Sequence, residues 1–267
     1  MDILKTNKEL SRRLNELVRL RYEPIAVKFI ENEAEVPAGA IYPMRDMGEH
    51  MALCQAFALA RREKKTVYMQ DFDHWCWNPL IGLGHVDCDE GTEVFDIVCN
   101  YICIPDKQKA RDFFVKFPRL ARGKYAGIVT APLSGAAFDP DLTLIYSNNL
   151  QLRNMLWAIK SVTGKIVTTE MDAIDSCIWA MIPAVENGEY RVTLPDHGEY
   201  ERAAPDDDEI ILTVPRGRIE ELTEALQATF DRGVGYEHFR KELKYDYPRP
   251  PFYPQLFKLW GLEPDEK

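Results

Sequence analysis

Two stretches of this chain repeat one spacing. Residues 51–79, MALCQAFALARREKKTVYMQDFDHWCWNP, lie on residues 151–179, QLRNMLWAIKSVTGKIVTTEMDAIDSCIW, at an offset of one hundred. Lys65-Thr66-Val67 then falls on Lys165-Ile166-Val167, and Ala58 on Ala158. Each stretch reads as an amphipathic helix, a basic turn, a short β run, an acidic loop and one cysteine, Cys76 in the first and Cys177 in the second. Upstream, Tyr42 and Tyr146 both end short apolar runs, and Ile25-Ala26-Val27 has a counterpart in Ile128-Val129-Thr130. Two copies of one unit, residues 20–105 and 120–215, would pack about a pseudo-twofold. Cys76 and Cys177 would then meet at the seam, with Cys54 on the helix of the first copy beside them.

The remaining pattern fits a mixed α/β (α+β) body, residues 1–244, of two similar βαβ-containing halves with an N-terminal helix. Leu10, Leu14, Leu17 and Val18 form one buried stripe of that helix. Tyr22-Glu23-Pro24 stops it, because the residue before proline avoids the α region. Strands are predicted over 25–30, 66–70, 127–132, 142–146, 166–169, 191–194 and 209–214. Helices are predicted over 49–62, 90–101, 106–117, 148–161, 173–181 and 218–230. PDHGEYERAAPDDD (195–208) reads as a long polar loop. Residues 245–267 hold five prolines and six aromatics, which predicts an extended tail without regular structure, wrapped on the body or on a partner subunit.

Composition narrows the function classes. A net charge of −10 argues against a sequence-independent grip on nucleic acid. No apolar run is long enough to span a membrane, and the charged start MDILKTNKELSRRLNELV lacks the apolar core of a signal peptide. The expected location is the cytoplasm. In that compartment six cysteines point to thiols or metal ligands rather than disulfides. Dinucleotide, phosphate-loop, zinc-protease and nucleophile-elbow motifs are absent, and so is C-x-x-C.

Cys54, Cys76 and Cys177 are the first candidate set, since thiolates select iron–sulfur clusters, zinc or copper. His74, Trp75 and Trp77 flank Cys76, Asp172 and Asp175 precede Cys177, and Asp196-His197 offers an oxygen or nitrogen ligand. The competing reading buries the three thiols as small core residues. Cys88, Cys99 and Cys103 form a second set near His85, and the apolar stripe Val94, Val98, Ile102 favours plain core packing for it. His74 and His197 stand out among the histidines as acid–base groups because each adjoins a candidate ligand, whereas His50 and His238 do not.

The ordered series of motifs resembles the domain of unknown function 169 family, the uncharacterised ArCR group. It comprises Leu-Arg-Tyr-Glu-Pro-Ile-Ala-Val-Lys-Phe (20–29), Cys54-Gln55-Ala56 running into Lys65-Thr66-Val67-Tyr68, and Cys76 with Pro79 and Leu83-Gly84. Leu-Ile-Tyr-Ser-Asn (144–148), the Cys177 segment with Pro183, and Leu194-Pro195 with Gly198 complete it. The family has no settled activity, but its recurrent cysteines resemble a metal or iron–sulfur ligand set, and Cys54, Cys76 and Cys177 occupy those positions. Two departures matter. Trp75-Cys76-Trp77 stands where members commonly read Ser-Cys-Pro, and Leu194-Pro195-Asp196 where they commonly read Leu-Pro-Cys. Asp196 therefore either replaces a fourth thiol or leaves a metal position open.

Together these features lead to an expected iron–sulfur enzyme holding a 4Fe-4S cluster on Cys54, Cys76 and Cys177, with Asp196 as a further ligand and His74 or His197 moving protons. Its substrate would be small, aromatic or planar, walled by Phe72, Trp75 and Trp77. The chemistry would be lyase or oxidoreductase work through Lewis-acid or electron-transfer action at an open iron. Zinc is the alternative metal. The alternative role is a non-enzymatic accessory protein that carries a metal, cluster or electrons to a redox-enzyme partner, and a homodimer is the expected assembly.

Overall fold

The computed structural model describes residues 2–102, 104–235, 243 and 250–262, and these fall into two compact units, Met1–Glu237 and His238–Lys267. Cys103, His238 and the outer parts of the expected tail lie outside the described residues.

The first unit opens with α1 (Ile3–Val18), capped by the Asp2 carboxylate and closed by Arg19 in the left-handed region. Pro24 then starts β1 (Ile25–Ile30), which leads by way of α2 (Leu53–Glu63) to β2 (Val67–Met69). Next come α3 (Trp77–Gly82), α4 (Glu93–Tyr101), α5 (Lys107–Phe114) and β3 (Gly127–Pro132). β4 (Leu142–Ser147), α6 (Asn149–Thr163), α7 (Ser176–Asn187) and β5 (Arg191–Thr193) follow. The unit closes with α8 (His197–Arg202), β6 (Ile210–Pro215) and α9 (Ile219–Asp231).

The six strands form one sheet in the order β2-β3-β1-β4-β6-β5, with every neighbouring pair antiparallel. β1 and β2 therefore run the same way with β3 between them, and α2 connects them. β4 and β5 do the same around β6, connected through α6 and α7. Each set is a split βαβ unit. Set β1 against β4, β3 against β6 and β2 against β5, and the order reads identically from either edge.

Alternation along the strands gives the sheet two apolar faces. Ile25, Val27, Phe29, Leu142, Leu144 and Tyr146 point to the side covered by α2 and α7. Ala26, Ile30, Val129, Ile145, Leu212 and Val214 point to the side covered by α1, α6 and α9.

Several sequence expectations change here. α2 and α6, matched at the offset of one hundred, lie on opposite faces. Lys165-Ile166-Val167 forms no strand, so the predicted strand over 166–169 is absent, and Thr169 instead binds the β5 backbone through its hydroxyl. The matched segments Ile25-Ala26-Val27 and Ile128-Val129-Thr130 are neighbouring strands of one half. Helical periodicity specifies that a face is buried but not which side of a sheet covers it, and this is why the offset misleads. The polar loop contains α8, and the tail expected to lack regular structure contains α10 (Tyr253–Trp260), started by proline in its first turn.

Candidate functional site

The three thiols reach one neighbourhood through helix starts. Cys54 is the second residue of α2, Cys177 the second residue of α7, and Cys76 the N-cap of α3. Cys54 and Cys76 pack with Ala52, Ala58 and Ala203, small residues that let α2 and α8 come close. The segments leading into α2 and α3 are tied by a short bridge, with Met51 N–H donating to the Asp73 carbonyl and Trp75 N–H to the Met51 carbonyl, both at 2.9 Å. α3 in turn packs on α7 at Gly82, where an added Cβ would lie 2.6 Å from Ile178 Cδ1.

Asp196 ties the other half. As N-cap of α8 its Oδ1 accepts from Glu199 N–H at 2.7 Å, and its Oδ2 accepts from Ser176 N–H, the first residue of α7, also at 2.7 Å. The equivalent place in the other split unit is held by Cys76, likewise an N-cap following the second strand of its unit.

Burial and nearby carboxylates shape this pocket electrostatically. Cys54 and Cys177 are buried and Cys76 half-buried. Burial is the main reason each thiol is pushed above its ordinary pKa. Glu199 and Asp196 add to the effect at Cys54, and Asp196 and the other two cysteines add to it at Cys177. Asp175, just before α7, is fully buried in the left-handed conformation at φ 66°, a backbone strain that recurs at functional sites. Neither of its oxygens makes a hydrogen bond of normal geometry, although the Asn78 side chain stands close enough to favour the ionised form. Burial, then Asp172 and Asp196, raise its pKa to about 8. Glu199 accepts from Tyr146 Oη at 2.7 Å and from Ser176 Oγ at 3.2 Å, and burial raises it to about 7. Below this group the Arg61–Glu209 pair, 2.7 Å apart and fully enclosed, joins α2 to the start of β6, with Arg61 stacked over Tyr146 at 4.0 Å.

The arrangement is thus rich in soft and anionic donors and poor in cations. Arg202 is the cation acting on both Cys54 and Cys76. Among the described residues, no three His, Cys, Asp or Glu side chains converge on one point as a single-ion site would require.

Other expected site residues lie elsewhere. His197 is on the surface, 3.2 Å from Glu201. His74 is buried and faces His85. Phe72, Trp75 and Trp77 do not wall one pocket: Trp77 packs on Phe114 and Phe117, each with ring centres 6.0 Å away, while Phe72 and Trp75 are exposed. Phe72 lies in the 3-10 turn Asp71–Asp73, Trp75 in the extended segment that follows and Trp77 in the first turn of α3, so the three leave the backbone in different settings. Cys88 and Cys99 are members of the apolar core, as the stripe around them suggests. Glu199 escaped the sequence reading, which noted Asp175 only as a neighbour of Cys177 and Tyr146 only as the end of an apolar run. For Tyr146 a signal existed, a hydroxyl on a strand face otherwise made by Leu142 and Leu144.

The comparisons agree with this ordered set of motifs. The profile of the uncharacterised ArCR family, domain of unknown function 169, matches residues 13–225. An uncharacterised protein of Methanocaldococcus jannaschii is 23% identical over 236 residues, covering 88% of this chain and 95% of that protein. No solved structure matches. With the family profile spanning the whole sheet and every thiol of the site, the chain belongs to the domain of unknown function 169 family of uncharacterised ArCR proteins.

Proposed function

We propose that this is an iron–sulfur protein whose cluster is held by Cys54, Cys76 and Cys177. The observation that carries the reading is the gathering of three thiols from three helix starts beside Asp175, a buried carboxyl that makes no hydrogen bond of normal geometry. Buried acidic groups without compensating charge are costly, and a bound cation removes that cost while converting thiols to thiolates. A cluster takes each thiolate on a different iron, so neighbouring thiols that do not converge suit it better than a single zinc ion.

Asp196 already caps α7 and α8 with both oxygens. It acts as a support, which would leave a cluster held by the three thiolates with a place for a small substrate. When bound, the cluster supplies Lewis-acid or single-electron chemistry. The chain's own contribution is positional. α2, α3 and α7 fix the thiols, and Asp175 is the protonatable group at the site in place of His74 and His197.

A second reading makes the protein an accessory carrier of electrons or clusters for a redox enzyme. What favours it is exposed aromatic surface next to a ligand: Trp75 stands beside Cys76 with its ring centre 4.8 Å from that of His50, and Phe72 three residues earlier is also exposed.

Purification without oxygen, followed by iron and sulfide analysis, tests the proposal. About four of each per chain is expected for a cubane. Replacing Cys54, Cys76 or Cys177 singly by alanine should lower both together. Metal content unchanged in all three variants would overturn the ligand assignment.

A further inference from the structure

A second cluster of ligating side chains lies outside the thiol site. His74, in the turn before α3, and His85, in the turn after it, are both buried, at 5% and 8% exposure. Their ring centres are 5.7 Å apart, with planes inclined at 38°. His74 Nδ1, His74 Nε2 and His85 Nε2 are enclosed and make no hydrogen bond, to each other or to any other group. Buried imidazole nitrogens are normally paired, so three unpartnered nitrogens on two neighbouring rings need an explanation.

The backbone is built to hold this pair. α3 returns the chain so that His85 N–H donates to the Leu80 carbonyl at 2.8 Å. Gly84 turns at φ 71°, and an added Cβ there would lie 2.6 Å from the Ala121 carbonyl oxygen. The bridge between Met51 and His74 fixes the other ring's backbone.

We propose that His74 and His85 together bind one late-transition-metal ion of the zinc type, at a site separate from the thiols. A nitrogen–metal bond of about 2.0–2.1 Å, with about 1.2 Å from nitrogen to ring centre, puts two ligating rings about 5–6.5 Å apart, depending on the angle at the metal. The observed separation of 5.7 Å falls within that span. Late first-row ions accept imidazole readily, and a neutral ring with a free nitrogen is the form that ligates. No third His, Cys, Asp or Glu joins them among the described residues, so the other coordination positions fall to water or an external ligand. The Asp71 carboxylate supports positive charge at His85, and Arg122 opposes it. His74 lies two residues before Cys76, so the test below removes the thiols to tell this site from the cluster.

The test uses full-length protein in which Cys54→Ser, Cys76→Ser and Cys177→Ser remove the thiols. After addition of zinc and gel filtration, about one zinc per chain should remain bound, and adding His74→Gln or His85→Gln should weaken binding at least about tenfold. In wild-type protein, zinc should also shift the side-chain nitrogen resonances of two buried histidines, a readout that needs no variant. Absence of zinc from the triple variant, retention after either histidine change, or unmoved imidazole signals in wild type would each overturn the site and leave a water between the rings. Cluster iron and sulfide retained in the triple variant would overturn the thiol assignment alone.

Discussion

The two faces of the sheet handle buried polar groups differently. Under α1, α6 and α9, most such groups end on backbone. Asn7 Nδ2 donates to the Ala136 and Phe138 carbonyls at 2.9 Å, Gln151 Nε2 to the Val18 and Arg19 carbonyls, and Thr223 and Thr229 to carbonyls of their own helix. Tyr68 Oη and Asn154 Nδ2 are exceptions on that side. Under α2 and α7 the pattern inverts: Arg61 and the histidine pair keep enclosed polar atoms without partners, while Asp175 with Asn78 and Asp172 with Trp179 come together only in poor hydrogen-bond geometry. Each orphan costs on the order of 1–3 kcal/mol. A fold that satisfies one face and leaves the other strained has concentrated its chemistry on the second.

The largest test of this contrast is pH. Asp175 titrates near 8 and Glu199 near 7 in the folded protein, both raised mainly by burial, against about 4 when unfolded. Between those values the folded state holds protons that the unfolded state has released, so stability falls as pH rises and levels off above about 8. His74, lowered to about 3 by burial and by His85, acts in the opposite direction below about 6.5, where the unfolded state takes up the proton first. The acids are therefore isolated between pH 6.5 and 8. Denaturant midpoints should drop across that window, summing to several kcal/mol from pH 4 upward, and Asp175→Asn should flatten the slope. An equal slope in the variant would remove Asp175 from the contrast.

Next in size is the enclosed Arg61–Glu209 pair. Glu209→Ala leaves a buried guanidinium uncompensated and should cost about 3–5 kcal/mol in urea unfolding, whereas Arg61→Met with Glu209→Leu should recover most of it. On the other face, Leu14→Ala in α1 should cost about 2–5 kcal/mol yet leave metal content per folded chain unchanged. If it altered metal content, the faces would not be separable. Gly82→Ala should cost about 1–3 kcal/mol by pushing α3 off Ile178, and should lower metal content as Cys76 moves from Cys177. Smallest is Asp196. Replacement by alanine should cost about 1 kcal/mol through two lost caps, while Asp196→Asn keeps a capping oxygen and should preserve metal content. Metal loss in the asparagine variant would make Asp196 a ligand rather than a support.

The sequence by itself marked all six strands and most helices of the body through apolar runs and helical stripes, but it also added a strand over 166–169 that does not form and missed α8. It singled out the Cys54, Cys76 and Cys177 segments through the order of their motifs, and Asp196 through its place after Leu194-Pro195. It did not reveal which face each helix covers, because an apolar stripe looks the same on either side of a sheet. That is why α6 passed for the partner of α2, when α7 is the helix that shares its face and carries a cysteine at the same helical position. Only the tertiary structure decided that His74 lies against His85, that His197 points outward, and that Asp175 is enclosed without a hydrogen bond of normal geometry. Burial and orphaned hydrogen bonds are properties of what packs around a residue, and those neighbours come from parts of the chain that local sequence does not connect.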